Sequence, residues 1–104
     1  MRFGAFIPQG WRLDLAGIPV SEQWPTMQRV AWQAEQLGYD SIWVYDHFHT
    51  VPIPTQEPTY EAWTLMAALA TVTERVRLGQ MCTCNGYRSP TYLAKVAASI
   101  DVIS

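Results

Sequence analysis

Two titratable side chains, Asp46 and His47, stand together at the end of the apolar run Ser41-Ile42-Trp43-Val44-Tyr45. A carboxylate beside an imidazole can hold, give or take a proton near neutral pH, because the unperturbed imidazole titrates there. The run itself reads as a buried parallel strand. It is short and apolar, and it follows Leu37-Gly38-Tyr39-Asp40, which has the form of a helix stop. In α/β sheets, chemistry gathers at the carboxyl ends of the strands, where these two residues fall. They also fit a plain polar loop leaving the sheet, and spacing alone leaves both readings open. The other chemically able groups are Cys82 and Cys84. Residues two apart on a strand share a face. Two thiols are nevertheless too few for a structural zinc site, and a disulfide across one residue is strained. They read as reduced thiols of a cytoplasmic protein, with no metal centre.

The elements that must position these groups repeat three times. Arg2 to Pro8 reads as a strand, Gln9 to Val20 as a loop, and a helix runs from about Ser21 or Pro25 to Leu37. Met27, Val30, Ala31, Ala34 and Leu37 form its apolar stripe, and Gly38 fits the position just past its end. The second unit is the strand Ser41 to Tyr45, a loop broken by Pro52, Pro54 and Pro58, and a helix from about Tyr60 to Val72. The third is a strand from Val76 to about Cys84 and the turn Asn85-Gly86-Tyr87-Arg88. A helix capped by Ser89 and opened by Pro90 follows, with Leu93, Val96, Ala97, Ile100 and Ile103 on one face. The order βαβαβα calls for a parallel α/β sheet with right-handed crossovers, in a barrel or a doubly wound fold. No strand is followed by the phosphate-binding glycine fingerprint, which argues against a dinucleotide domain.

Composition narrows the classes. The chain has 104 residues, enough for one small domain, with 49% hydrophobic and 15% charged residues, so it reads as globular. A net charge of -2 gives no reason to expect nucleic acid or an anionic membrane as partner. The longest apolar stretches, such as Leu65 to Ala70, are too short to span a bilayer. Trp32 falls off the stripe of the first helix, and the second helix is apolar on two faces. Those faces are Trp63, Met66, Ala67 and Ala70 on one side, and Ala62, Leu65 and Leu69 on the other. Both features suggest surfaces that meet something else.

The ordered set of short motifs resembles the N-terminal part of the luciferase-like monooxygenase family, in particular its branch using the deazaflavin coenzyme F-420. The matching residues begin with Phe3-Gly4 and Ile7-Pro8, then Ala34-Glu35 with Leu37-Gly38-Tyr39-Asp40-Ser41-Ile42-Trp43, then Asp46-His47-Phe48. They continue with Trp63-Thr64-Leu65, Ala67-Ala68-Leu69-Ala70 and Thr73-Glu74-Arg75-Val76-Arg77-Leu78-Gly79. Last come Thr83, Asn85, Tyr87-Arg88, Pro90 and Leu93-Ala94-Lys95-Val96-Ala97-Ala98. The resemblance implies a TIM (β/α)8 barrel of which residues 1–104 would form the first three units.

It also implies site residues. Asp46 would contact the cofactor, and His47 would donate a proton or meet substrate. The two would lie side by side at the end of a central strand, near Gln9 and Thr83. A bulge with a non-proline cis peptide, placed at Met81–Cys82, would back the cofactor ring within the segment Gln80 to Cys84. Family members more often have Val or Ile where this chain has Cys82. Asn85 would reach cofactor or substrate, whereas Arg88 reads as a solvated charge and His49 as a plain loop residue. Gln9 and Trp11 would face the barrel mouth as substrate residues, Trp11 equally as loop packing. The activity implied is hydride transfer between coenzyme F-420 and a small organic substrate. One alternative is an FMN-dependent monooxygenase using O2; another is a non-catalytic fragment that self-associates. The resemblance implies a homo-oligomer, and weak cofactor binding by these residues alone.

Overall fold

A computed structural model describes all residues 1–104. The elements are β1 (Gly4–Phe6), α1 (Val20–Gln36), β2 (Ser41–Val44), α2 (Ala62–Ala70), β3 (Arg77–Gln80) and α3 (Pro90–Ile103). The three strands make one parallel sheet in the order β1-β2-β3, the arrangement of three consecutive units of a (β/α)8 barrel. Ala5 pairs with Ile42, and Ile42 with Leu78, so β2 is central and carries its polar end between its two neighbours.

The core lies on one face of the sheet. Ile42 and Val44 alternate with half-exposed Ser41 and Trp43, and they pack with Met27 and Ala31 of α1, and with Leu65, Met66 and Leu69 of α2, in one apolar cluster. α2 touches α3, β2 and β3, which explains why it is apolar on both sides. α1 ends where Gly38 adopts φ +80°, with Gly38 N–H donating to Glu35 and Tyr39 N–H to Ala34. These bonds close the helix and turn the chain into β2. Leu37, expected in the buried stripe, is exposed instead, because it is the capping residue and the helix face has already turned away. Ile103 is exposed for the same kind of reason, at the last helical position of α3. Ser89 caps α3 by accepting from Tyr92 N–H, with Pro90 in the first turn. Trp32 is 55% exposed. No helix is long and apolar enough to cross a membrane.

The strands are shorter than the apolar runs suggest. β3 stops at Gln80 and not near Cys84, and the Met81–Cys82 peptide that follows it is cis. The opposite sheet face is open. Trp43 lies flat across it, its indole N–H donating to Ser41 Oγ at 2.8 Å. There is room because both neighbouring strands carry glycine: a Cβ on Gly4 would sit 2.5 Å from the indole Nε1, and one on Gly79 would sit 2.6 Å from its ring carbons.

Candidate active site at the carboxyl end of the sheet

Gln9, Trp11, Asp46, His47 and the segment after β3 converge where the strands end. Gln9 follows β1 and is wholly buried. Its Nε2 donates to the carbonyls of Tyr45 and Tyr60, both at 2.6 Å, and its Oε1 accepts from Tyr45 N–H at 2.7 Å. Every atom able to bond is thus spent on backbone. Gln9 ties three segments together and presents nothing to a mouth, contrary to the substrate role expected for it. Trp11 is the residue that forms a wall. Its ring stacks on the His47 imidazole with centroids 4.1 Å apart and planes 6° apart, and it leans on Tyr45 at 4.3 Å. Tyr45 in turn stacks on Phe6 at 4.4 Å. An aromatic ladder therefore runs from the open sheet face to His47, which is half-buried. The loop after β2 props Trp11 from behind, since Val51 N–H donates to the Trp11 carbonyl.

Asp46 is placed otherwise than expected. Its side chain has no exposed surface. Arg88 grips it with two bonds, Nη1 to Oδ2 at 2.7 Å and Nη2 to Oδ1 at 2.8 Å, and Cys84 N–H donates to Oδ2 at 2.8 Å. Such fork-to-fork pairs are among the strongest hydrogen bonds in proteins. Its three bonds go to Arg88 and to the Cys84 backbone, so in this chain the carboxylate serves the scaffold. Arg88 is correspondingly not a solvated charge: its side chain is only 9% exposed. Nη2 also reaches Glu61 Oε1, the residue that caps α2 by accepting from Thr64 N–H at 2.6 Å. The bond to Asp46 holds the guanidinium proton more firmly than usual; burial works against this, and the bond to Glu61 adds to it. At Glu61 burial also opposes charge, but the Thr64 donors and Arg88 outweigh it and lower the carboxyl pKa.

Thr83 turns back within its own segment, donating to Gln80 Oε1 at 2.7 Å. Met81, Cys82 and Asn85 are exposed. His49 lies with Nδ1 3.2 Å from the Thr50 carbonyl and takes no part in the cluster. The structure thus brings Trp11, His47 and the exposed Met81–Cys82 segment to one end of the sheet, and withdraws Gln9 and Asp46 into its scaffold. Glu61 is the residue that sequence reasoning missed, although its place just before an apolar helix carried a weak capping signal. Arg88 was noticed but not paired, because its partner lies 42 residues away.

A family model described as luciferase-like monooxygenase matches residues 1–104. The chain belongs to the luciferase-like monooxygenase family. Among curated relatives, phthiodiolone/phenolphthiodiolone dimycocerosates ketoreductase of Mycobacterium tuberculosis is 32% identical, the match covering 68% of this chain and 23% of that protein. The Mycobacterium kansasii protein of the same name is also 32% identical, over 68% of this chain and 24% of its own length. An F-420-dependent glucose-6-phosphate dehydrogenase of Amycolatopsis mediterranei is 35% identical, over 69% of this chain and 22% of the relative. The chain thus spans about a quarter of the length of the curated relatives it matches.

A concavity of about 700 Å³ lies along the open sheet face, lined by Phe3, Phe6, Trp43 and Met81 and, toward the amino ends of the strands, by Arg2, Asp40 and Arg77.

Proposed function

We propose that the protein to which these residues contribute is an oxidoreductase that uses coenzyme F-420, which Met81 and Cys82 would help to hold beside His47. A bound deazaflavin supplies hydride transfer to or from a substrate carbon. His47 gives the accompanying proton when the substrate is reduced and takes it when the substrate is oxidised, and stacking on Trp11 fixes the plane of the imidazole that exchanges it. Trp11 and Tyr45 wall off water on the β1 side, and Asn85 offers a polar contact from the β3–α3 turn. The observation that carries this reading is the half-buried imidazole held flat on Trp11, at the same sheet end as the exposed Met81–Cys82 segment. The F-420 dependence named in one relative supports the choice of cofactor. A second reading, a monooxygenase using FMN and O2, is favoured by the family's own description.

Titration of the whole protein with F-420 and with FMN, followed by fluorescence, separates the two. F-420 binding without FMN binding is expected; FMN binding alone would overturn the first reading in favour of the second. Residues 1–104 alone are expected to bind either weakly, since they offer one wall of a site. In the whole protein, His47→Ala should lower kcat by about 10²–10⁴-fold, as loss of a positioned acid does. Cofactor affinity and thermal stability should change little. A fall in stability with no separate effect on kcat would make His47 a packing residue.

A further inference from the structure

The carboxyl end of the sheet contains a buried charged group that the reaction itself does not use. Asp46, Arg88 and Glu61 come from the end of β2, the turn before α3 and the residue before α2, three points far apart in the chain. Arg88 sits between two carboxylates, and its five fixed donors suit it to bridge them where a lysine could not. The Asp46 end bonds Cys84 N–H in addition, two residues beyond Cys82. The other side of Asp46 is the peptide link to His47. The Asp46 carboxylate therefore joins the backbone that presents the imidazole to the segment that carries Met81 and Cys82, and the Arg88 guanidinium holds that carboxylate in place.

We propose that Arg88 is a positioning residue for His47: by holding Asp46 it sets the backbone from which the imidazole stacks on Trp11 and, because Asp46 also accepts from Cys84 N–H, the distance between that imidazole and the Met81–Cys82 segment. The proposal rests on the proton role of His47 given above, but its geometry can be read without any cofactor. Stacking at 4.1 Å with near-parallel planes places the His47 ring protons in the ring current of Trp11. Their NMR signals should be displaced upfield of a free histidine. Two features oppose the alternative that Arg88 serves stability alone. Its bonds go to the residue before His47 and not to the apolar core. Its outer partner Glu61 is one-third exposed, so it is an arm of the bridge and not a buried plug.

The test compares Arg88→Lys, Arg88→Met and Glu61→Gln. In the 104-residue chain, Arg88→Lys and Arg88→Met should move the His47 ring signals toward free-histidine positions, with the other aromatic signals still dispersed. Glu61→Gln should move them in the same direction by less. In the whole protein, Arg88→Lys should lower kcat by about 10²-fold, the scale of a 1 Å misplacement, with KM nearly unchanged. A folded Arg88→Lys or Arg88→Met chain with His47 signals at the wild-type position would overturn the proposal. So would unfolding of both variants, which would make Arg88 a support of the whole fold. If His47 signals move in the variants while the wild-type whole protein shows no F-420 turnover, the positioning role stands and the cofactor assignment falls.

Discussion

Glu35 looks, in sequence, like one more polar residue near a helix end, yet it is buried and its Oε1 accepts from the N–H groups of Glu74, Arg75 and Val76 at 2.9, 2.5 and 3.0 Å. These are the residues that lead into β3, so one carboxylate sets where that strand begins. Burial works against its charge, but the three donors and the nearby Arg75 guanidinium outweigh burial and hold its pKa below the ordinary 4.5. The sign follows from linkage. A carboxyl with a depressed folded-state pKa stabilises fully above its unfolded value, and the contribution is lost as pH falls through the lower folded value. Glu35→Gln should therefore destabilise the chain at neutral pH by about 1–3 kcal/mol, the cost of weakening charged hydrogen bonds to buried donors. The gap to wild type should narrow as pH drops below 4.5. Urea melts across that range measure it, and a gap independent of pH would mean that shape and not charge holds the three donors.

At the scale of elements, the flat Trp43 links three strands, and its place depends on what its neighbours lack. Gly79→Ala would put a methyl 2.6 Å from the indole. The ring cannot slide away toward β1, where the space over Gly4 is already filled by its Nε1 side. The substitution should cost about 1–3 kcal/mol, as overpacking does, and a second change, Trp43→Phe, should recover part of it. Thermal melts of the single and double variants decide; additive losses would show that the two positions do not share the space. The same sheet shows what a sequence can disclose. The order and kind of all six elements were legible, because strand alternation and helical stripes are local patterns. So were the Ser89 cap and the Gly38 stop, each fixed by its own residue type. Strand lengths were overread, since apolar runs continue past the last ladder pairs, as at Tyr45, whose N–H is taken by the Gln9 side chain and not by a neighbouring strand. Gly4 and Gly79 gave no sign that they make room for an indole, and Arg88 none that it grips Asp46. Both relations join residues more than 30 positions apart, and no local period records them. The site was legible as a place, through Asp46 and His47, but not in its division of labour between the residue that holds and the residue that is held.

For the molecule as a whole, the unequal faces of the sheet set the next expectation. The helix-covered face is dry, but the other shows Phe3 at 59%, Phe6 at 44% and Met81 at 48% exposure around Trp43. Both outer strands, β1 and β3, have a neighbour on one side only, so each offers unpaired N–H and C=O groups along its length. In a (β/α)8 barrel such a face is interior, filled by side chains from other strands. For residues 1–104 by themselves, a second copy is the available cover. Burying roughly 300 Å² of apolar surface is worth about 7 kcal/mol at ~25 cal/mol per Å². That is of the size of the freedom lost on association, about 4–15 kcal/mol, so the open face alone leaves the balance close. Strand pairing along the free edges, and exposed Trp32 on α1, add to the favourable side. We therefore propose that the 104-residue chain self-associates at micromolar concentration through the open sheet face. Sedimentation should show dimers or larger species, and Phe6→Lys should shift them toward monomer, because a charge buried at such a contact finds no partner. Trp32→Lys should have the smaller effect. A sharp monomer boundary for the unaltered chain would show that the aromatic ladder from Phe6 to His47 covers the open face well enough without a second copy.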